Sequence, residues 1–235
     1  MPQLPDPNKY NDPIKYFRDS HALITTQVNL LEKLTQSAEV KGVIKSIKED
    51  NEWGEILDFL VNTVPRHEID EELALFPFMM DKIPHVGFQQ SSSPIRFIQE
   101  QHEVMLLRAT ELLRIWKQTL AKNEITNDEA TQFIMGAREL VTNFREHMRR
   151  ENELIYTTAN DDLLSPSDRQ KILEIIRENN SKEVMSDYLA YDQPTYSLTG
   201  YSPVIVTKDE EGDAVSEQSL EIEEDDSDEE EEESE

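Results

Sequence analysis

The chain has 235 residues, no cysteine and a formal net charge of −27. The missing thiols exclude disulfides, thiolate metal sites, iron–sulfur clusters and a cysteine nucleophile, and they fit a reducing compartment. Residues 208–235 hold 17 acids and one lysine, −16 of the total, leaving −11 for residues 1–207; with no basic face visible, nucleic-acid binding is not expected.

The opening MPQLPDPNKYNDP has neither a basic segment nor an apolar run, so residues 1–11 are expected to form an N-terminal arm rather than a signal peptide. From Asp12 onward apolar residues recur every three or four positions, the helical period. Asp12-Pro13 sets a capping side chain before a proline at the first helical position, where the missing N–H costs nothing. A first helix is predicted over about 12–37, with Ile14, Phe17, His21, Ile24, Val28 and Leu31 on one face. A connector with Gly42 follows, with room for a helical turn. The second helix is predicted over about 51–79, with Trp53, Leu57, Leu60, Val64, His67, Glu71, Ala74 and Phe78 in its stripe; Pro77 should bend or end it.

Ser93-Pro94 opens a third helix over about 93–121, carrying Ile95, Ile98, His102, Met105, Ala109 and Leu112 on one face. Thr126 and Glu129 fit a capping box at the start of a fourth, about 126–159, whose stripe is Phe133, Ala137, Leu140, Phe144, His147, Glu151 and Ile155. Ser165-Pro166 begins a shorter fifth helix, about 165–179, with Ile172, Ile175 and Ile176; it should pack outside the others or cap one end. Four long amphipathic helices with short connections predict an all-α fold, an up-down-up-down four-helix bundle, over residues 12–180. Residues 181–207 read as an extended arm and residues 208–235 as a disordered acidic tail with almost nothing to bury. No apolar stretch is long enough to cross a bilayer, and a cytoplasmic protein is expected.

Each long helix places one histidine in its apolar stripe, and the second and fourth add a glutamate four residues later on the same face. His21 and His102 each lie nine residues after a cap, about 13–14 Å into the bundle at ~1.5 Å per residue. His67, Glu71, His147 and Glu151 lie in the last third of their helices. In an antiparallel bundle those depths coincide, so all six side chains should converge on one layer. A lone histidine in an apolar stripe is ordinarily a hydrogen-bonded core residue, and a single His–Glu pair at this spacing is ordinarily a surface contact worth a few tenths of a kcal/mol. Six together read differently, because two glutamates in a core are costly unless paired or metal-bound. Nitrogen and oxygen donors without sulfur suit iron, manganese or zinc.

The order His21, His67-x-x-x-Glu71, His102, His147-x-x-x-Glu151, with LALFPF after the first pair, resembles the hemerythrin-like, or HHE cation-binding, domains over about residues 12–160. That resemblance implies two non-heme iron ions, ahead of manganese or zinc. Each would take two histidines and share both glutamates, with an oxo, hydroxo or water bridge. The oxygen-carrying hemerythrins have a second histidine in the third helix; here Ile98 and Leu106 occupy those distances, and the last motif ends in Glu151 rather than a more distant aspartate. The donor count is closer to the di-iron domain of repair-of-iron-centres proteins, whose cysteine-bearing N-terminal domain this chain lacks.

Flanking Glu68, Asp70 and Glu72 are read as exposed, with Glu72 in reserve should the register slip by one. His85 is expected to be a solvated loop residue, and Tyr10, Tyr16 and Tyr156 fall near the site's end of the bundle. The expected function is binding or sensing of dioxygen or nitric oxide, or iron handling. The alternatives are a di-iron redox enzyme acting on nitric oxide or peroxide, and a helical adaptor whose acidic tail binds a basic protein partner.

Overall fold

The computed structural model describes residues 2–82 and 94–181, which are helical with no strand among them. The acidic tail, nearly all of the predicted extended arm, His85 and Ser93 lie outside the described residues. Within the N-terminal arm, Pro7–Lys9 form a 3-10 turn capped by Asp6.

Helix α1 spans Pro13–Lys41, and the Asp12 carboxylate accepts the Ile14 N–H at 3.1 Å, as its cap position predicts. It runs four residues past the expected end and stops at Gly42, whose φ of 89° and ψ of 139° suit a residue without Cβ. The connector contains a full short helix, α2 (Val43–Glu49), and Trp53 Nε1 donates to Ser46 Oγ at 3.0 Å.

The second rod is not one continuous helix. It consists of α3 (Glu52–Asn62), α4 (Val64–Asp70), a π turn over Glu71–Leu75 and α5 (Phe76–Lys82). The break at Thr63 follows from Pro65, which lacks an N–H and crowds the carbonyl four residues back, so the chain restarts with that proline in its first turn. Pro77 does not end the rod: it stands in the first turn of α5, where a missing N–H is least felt.

Helix α6 covers Pro94–Lys122. Helix α7 covers Asn127–Arg150, opens with the complete Thr126–Glu129 capping box, and continues through a π turn (Glu151–Ile155), α8 (Tyr156–Thr158) and a second π turn (Ala159–Leu163). Helix α9 spans Pro166–Ser181, with Ser165 and Asp168 exchanging hydrogen bonds at its start.

Helices α1 and α6 each pack against α3 and α7, which closes a four-membered antiparallel bundle. Helix α2 bridges α1 and α6, while α9 lies on α1, on α4 and on the π turn Glu71–Leu75. No described helix is long and apolar enough to cross a membrane.

The apolar interior is in two parts. One includes Ile24, Trp53, Leu60, Met105, Phe133 and Phe144; the other includes Ile14, Phe17, Phe76, Ile98, Ile155 and Ile176. Each large side chain so enclosed contributes about 1.5–3 kcal/mol. Along every rod the division between the two falls where the stripe carries histidine.

Candidate metal centre

The layer between the two apolar clusters is built from one or two residues of each rod. Phe17 and Ile24 bracket His21 on α1, and Ile98 and Met105 bracket His102 on α6. The rod α3–α5 contributes His67 and Glu71, and the rod continuing α7 contributes His147 and Glu151. All six side chains are buried, and Glu71 and Glu151 have 0% exposure.

Their donor atoms converge in two groups. His21, His67, Glu71 and Glu151 each offer an atom to a set whose members lie within 4.8 Å of one another, and His102, His147 and Glu151 form a second such set. Glu151 belongs to both. Its Oε2 lies 3.1 Å from His21 Nε2 and 3.1 Å from His147 Nε2, and its Oε1 lies 3.6 Å from His102 Nε2. Glu71 is also central, with Oε1 3.7 Å from His67 Nε2 and Oε2 3.6 Å from His102 Nε2.

His102 Nε2 and His147 Nε2 lie within hydrogen-bonding distance of each other, at 3.2 Å, but most of this proximity is not hydrogen bonding. Among the described residues, neither oxygen of Glu151, nor Glu71 Oε2, nor either ring nitrogen of His67 has a hydrogen-bond partner, and His21 Nδ1 has none either. Buried polar atoms left in this state cost about 1–3 kcal/mol each, more when charged. Lone pairs crowded toward common points, all on nitrogen and oxygen, fit bound cations. Other contacts orient the rings: His102 Nδ1 faces Glu72 Oε1 at 2.7 Å, and His147 Nδ1 faces Gln101 Oε1 at 3.3 Å. Such partners turn the opposite ring nitrogen toward the layer.

Burial pulls the His67 imidazole well below its usual range, helped by the neighbouring His21. Burial and the facing Glu151 charge push the Glu71 carboxyl well up. Burial would raise Glu151 too, but His147, His102 and His21 around it hold it well below the carboxylate range. For His102, burial acts downward, and Glu68, Glu151 and Glu72 together override it and raise the group well above its usual value.

Two π turns shape the rim. Glu71 and Glu151 are each the first residue of one, so each motif ends where the winding changes from i→i+4 to i→i+5. Five residues along an α-helix rotate a side chain by about 140°; the wider turn brings the fifth residue back over the first. Tyr156 therefore returns to the face of Glu151, and Phe76 to that of Glu71. The Tyr156 hydroxyl donates to Glu71 Oε1 and lies 3.0 Å from His21 Nε2. Phe76 stacks on His102 with ring centroids 6.5 Å apart.

The flanking acids depart from the sequence reading. Glu68 and Asp70 are not exposed: they show 7% and 1% of their surface, and Glu72 is partly buried against His102. Asp70 accepts from the Tyr16 hydroxyl at 2.9 Å and from Asn180 of α9 at 3.1 Å. The HEIDEE run contains more acids than one helical face can hold in water, because α6 covers one flank of α4 and α9 covers another. Tyr10 instead bonds Asp19 at 2.8 Å, away from the layer.

The family model of the hemerythrin HHE cation binding domain matches residues 12–159. No curated protein and no solved structure matches the chain.

Proposed function

Because the chain belongs to the hemerythrin HHE cation-binding family, we propose that its bundle holds two non-heme iron ions and binds a small gas, dioxygen or nitric oxide, at that pair. His21 and His67 would hold one ion, His102 and His147 the other, with Glu71 and Glu151 between them. An iron pair supplies open coordination positions and redox chemistry to a small ligand.

The chain's own residues do the rest. Phe17, Ile24, Leu60, Val64, Ile98, Met105 and Phe144 wall the layer with buried apolar surface and keep bulk water away. Four histidines and two glutamates on two ions leave fewer protein donors than six-coordination requires, so an incoming diatomic has a place. Tyr156 holds a proton within reach of Glu71 and His21, where it can donate a hydrogen bond to a guest in the layer. Glu72 and Gln101 hold the His102 and His147 rings in register.

The observation that carries this reading is the unpartnered state of the buried carboxylate and imidazole atoms in one layer. The test is absorption spectroscopy on anaerobically prepared, iron-loaded protein exposed in turn to oxygen and to nitric oxide. A visible band that changes with either gas is expected. Iron-loaded protein whose spectrum ignores both gases would overturn the gas-binding assignment. Reduction of nitric oxide or peroxide is the second reading, favoured by the buried Tyr156 hydroxyl as a proton source; steady turnover with an added reductant would select it.

A further inference from the structure

The described residues hold three tyrosines, Tyr10, Tyr16 and Tyr156, and all three belong to one series of touching rings. Tyr156 begins it inside the layer, with its hydroxyl on Glu71 and 3.0 Å from His21 Nε2. Phe17 stacks on Tyr156 with ring centroids 5.7 Å apart and meets Tyr16 edge-on at 5.4 Å. Tyr16 in turn meets Tyr10 edge-on at 5.6 Å. Tyr156, Phe17 and Tyr16 are fully buried, whereas Tyr10 is partly exposed, so the series runs from the donor layer to the surface. Trp53 and Trp116 belong to the other apolar part, outside it.

Each phenol also has a carboxylate of its own. Tyr156 donates to Glu71, Tyr16 donates to Asp70 at 2.9 Å, and Tyr10 donates to Asp19 at 2.8 Å. Burial and the facing carboxylate hold the protons of Tyr16 and Tyr156 well above the usual phenol range, and the same causes push Tyr10 up to about 12. A phenol that keeps its proton yields an electron only when the proton can leave with it, and an acceptor within hydrogen-bond reach takes that proton over a single bond. Packing alone does not ask for this arrangement. Phenylalanine would fill the place of Tyr16 with no buried hydroxyl to satisfy.

We propose that Tyr10, Tyr16 and Tyr156 form an electron relay that joins a reductant at the surface to an oxidant in the layer. The inference rests on the metal-pair reading above and takes hydrogen peroxide as the oxidant. Reduction of peroxide to two waters consumes two electrons, with two protons from solution. When one electron is drawn from Tyr156, its proton passes to Glu71 and a neutral phenoxyl radical remains. Tyr16 then gives an electron across Phe17 and its own proton to Asp70, while Tyr156 recovers the proton left on Glu71. Tyr10 reduces Tyr16 in the same way: its proton goes to Asp19, and Asp70 returns the one it took. A surface reductant such as ascorbate supplies the last electron to Tyr10, which recovers its proton from Asp19. Two passes reduce one peroxide, and without a reductant the radical comes to rest on Tyr10.

The test uses the full chain loaded anaerobically with ferrous iron, desalted and checked for iron content. Hydrogen peroxide is added with a nitrone spin trap, and the adducts are located by peptide mass spectrometry. The wild type is expected to carry its adduct on Tyr10. Tyr16→Phe should keep its iron and lose that adduct, with oxidation confined to the layer. Tyr10→Phe, a change at a partly exposed ring, should keep a tyrosyl signal in electron paramagnetic resonance that added ascorbate no longer quenches. A Tyr10 adduct that persists in Tyr16→Phe, or in chelated protein, would overturn the relay, because it marks attack from solution. Iron-loaded wild type that leaves Tyr10 unmodified, or a Tyr10→Phe signal quenched as fast as that of the wild type, would overturn it as well. In each of these cases the metal-pair reading stands. A wild type that takes no iron defeats that reading and the relay together.

Discussion

Tyr156 and Asp70 show how single side chains tune the layer. The Tyr156 hydroxyl reaches both Glu71 and His21, so Tyr156→Phe removes a hydrogen bond from the rim without removing a proposed ligand. Hydrogen bonds to charged groups are worth about 1.5–3 kcal/mol. Tyr156→Phe should therefore keep its full iron content while releasing bound gas on the order of tenfold faster, measured by stopped-flow; an unchanged release rate would remove Tyr156 from the ligand pocket. Asp70 makes a pH-dependent contribution. Burial raises its carboxyl from 3.8 to about 6, against the hydrogen bonds from Tyr16 and Asn180 that pull it down. Between those values the native chain keeps a proton that the unfolded chain has released, so stability falls as pH rises through this window. The contribution is full below about pH 4 and gone above about pH 6; two units correspond to about 3 kcal/mol. Asp70→Asn keeps the acceptor for Tyr16 and should flatten this part of the curve. Denaturant unfolding of the chelated proteins at pH 4 and pH 7 checks it, and an identical pH slope in the variant would contradict it.

At the scale of elements, the ends of the helices and the turns within them decide what reaches the layer. Gly42 ends α1 with a φ of 89° and a ψ of 139°. Nothing lies within 4 Å of a Cβ built there, so Gly42→Ala tests the backbone alone. A cost of about 1–3 kcal/mol is expected in thermal or denaturant unfolding, with iron content unchanged; a neutral substitution would show that the connector adapts. Helix α9 is anchored by the fully buried Ile172 and Ile176, by Arg169 on Asp12 at 2.9 Å and by Lys82 on Asp168 at 2.9 Å. The caps at Asp12 and Thr126, the apolar stripes and the equal depths of the six donors were all legible, because each depends on local chemistry or on helical period. Three features were not. The break before Val64 needed Pro65 to be weighed against a strong apolar stripe. The π turns have no signature in a pattern of period 3.6, and without them Tyr156 and Phe76 would fall on another face. The burial of Glu68 and Asp70 depends on α6 and α9 covering α4, which is a matter of packing rather than of sequence spacing.

Across the whole molecule, a polar layer divides two apolar clusters, and each part alone makes sense only with the other. The clusters fix four rods at a common register, and the register brings six donors together. The cost of that layer is offset when cations occupy it, so cation binding and folding should be linked. A ligand at a hundred times its dissociation constant adds about 2.7 kcal/mol. Chelation should therefore lower the melting temperature by several degrees, and added ferrous iron should restore it; a melting curve indifferent to both would separate the layer from stability. The most direct test of the central claim is the metal content of protein loaded with ferrous iron under nitrogen, desalted and analysed. The account predicts about two irons per chain for the wild type, with loss on replacing His102 and His147 together by alanine. Protein that retains no transition metal, or retains it equally after that replacement, would contradict it.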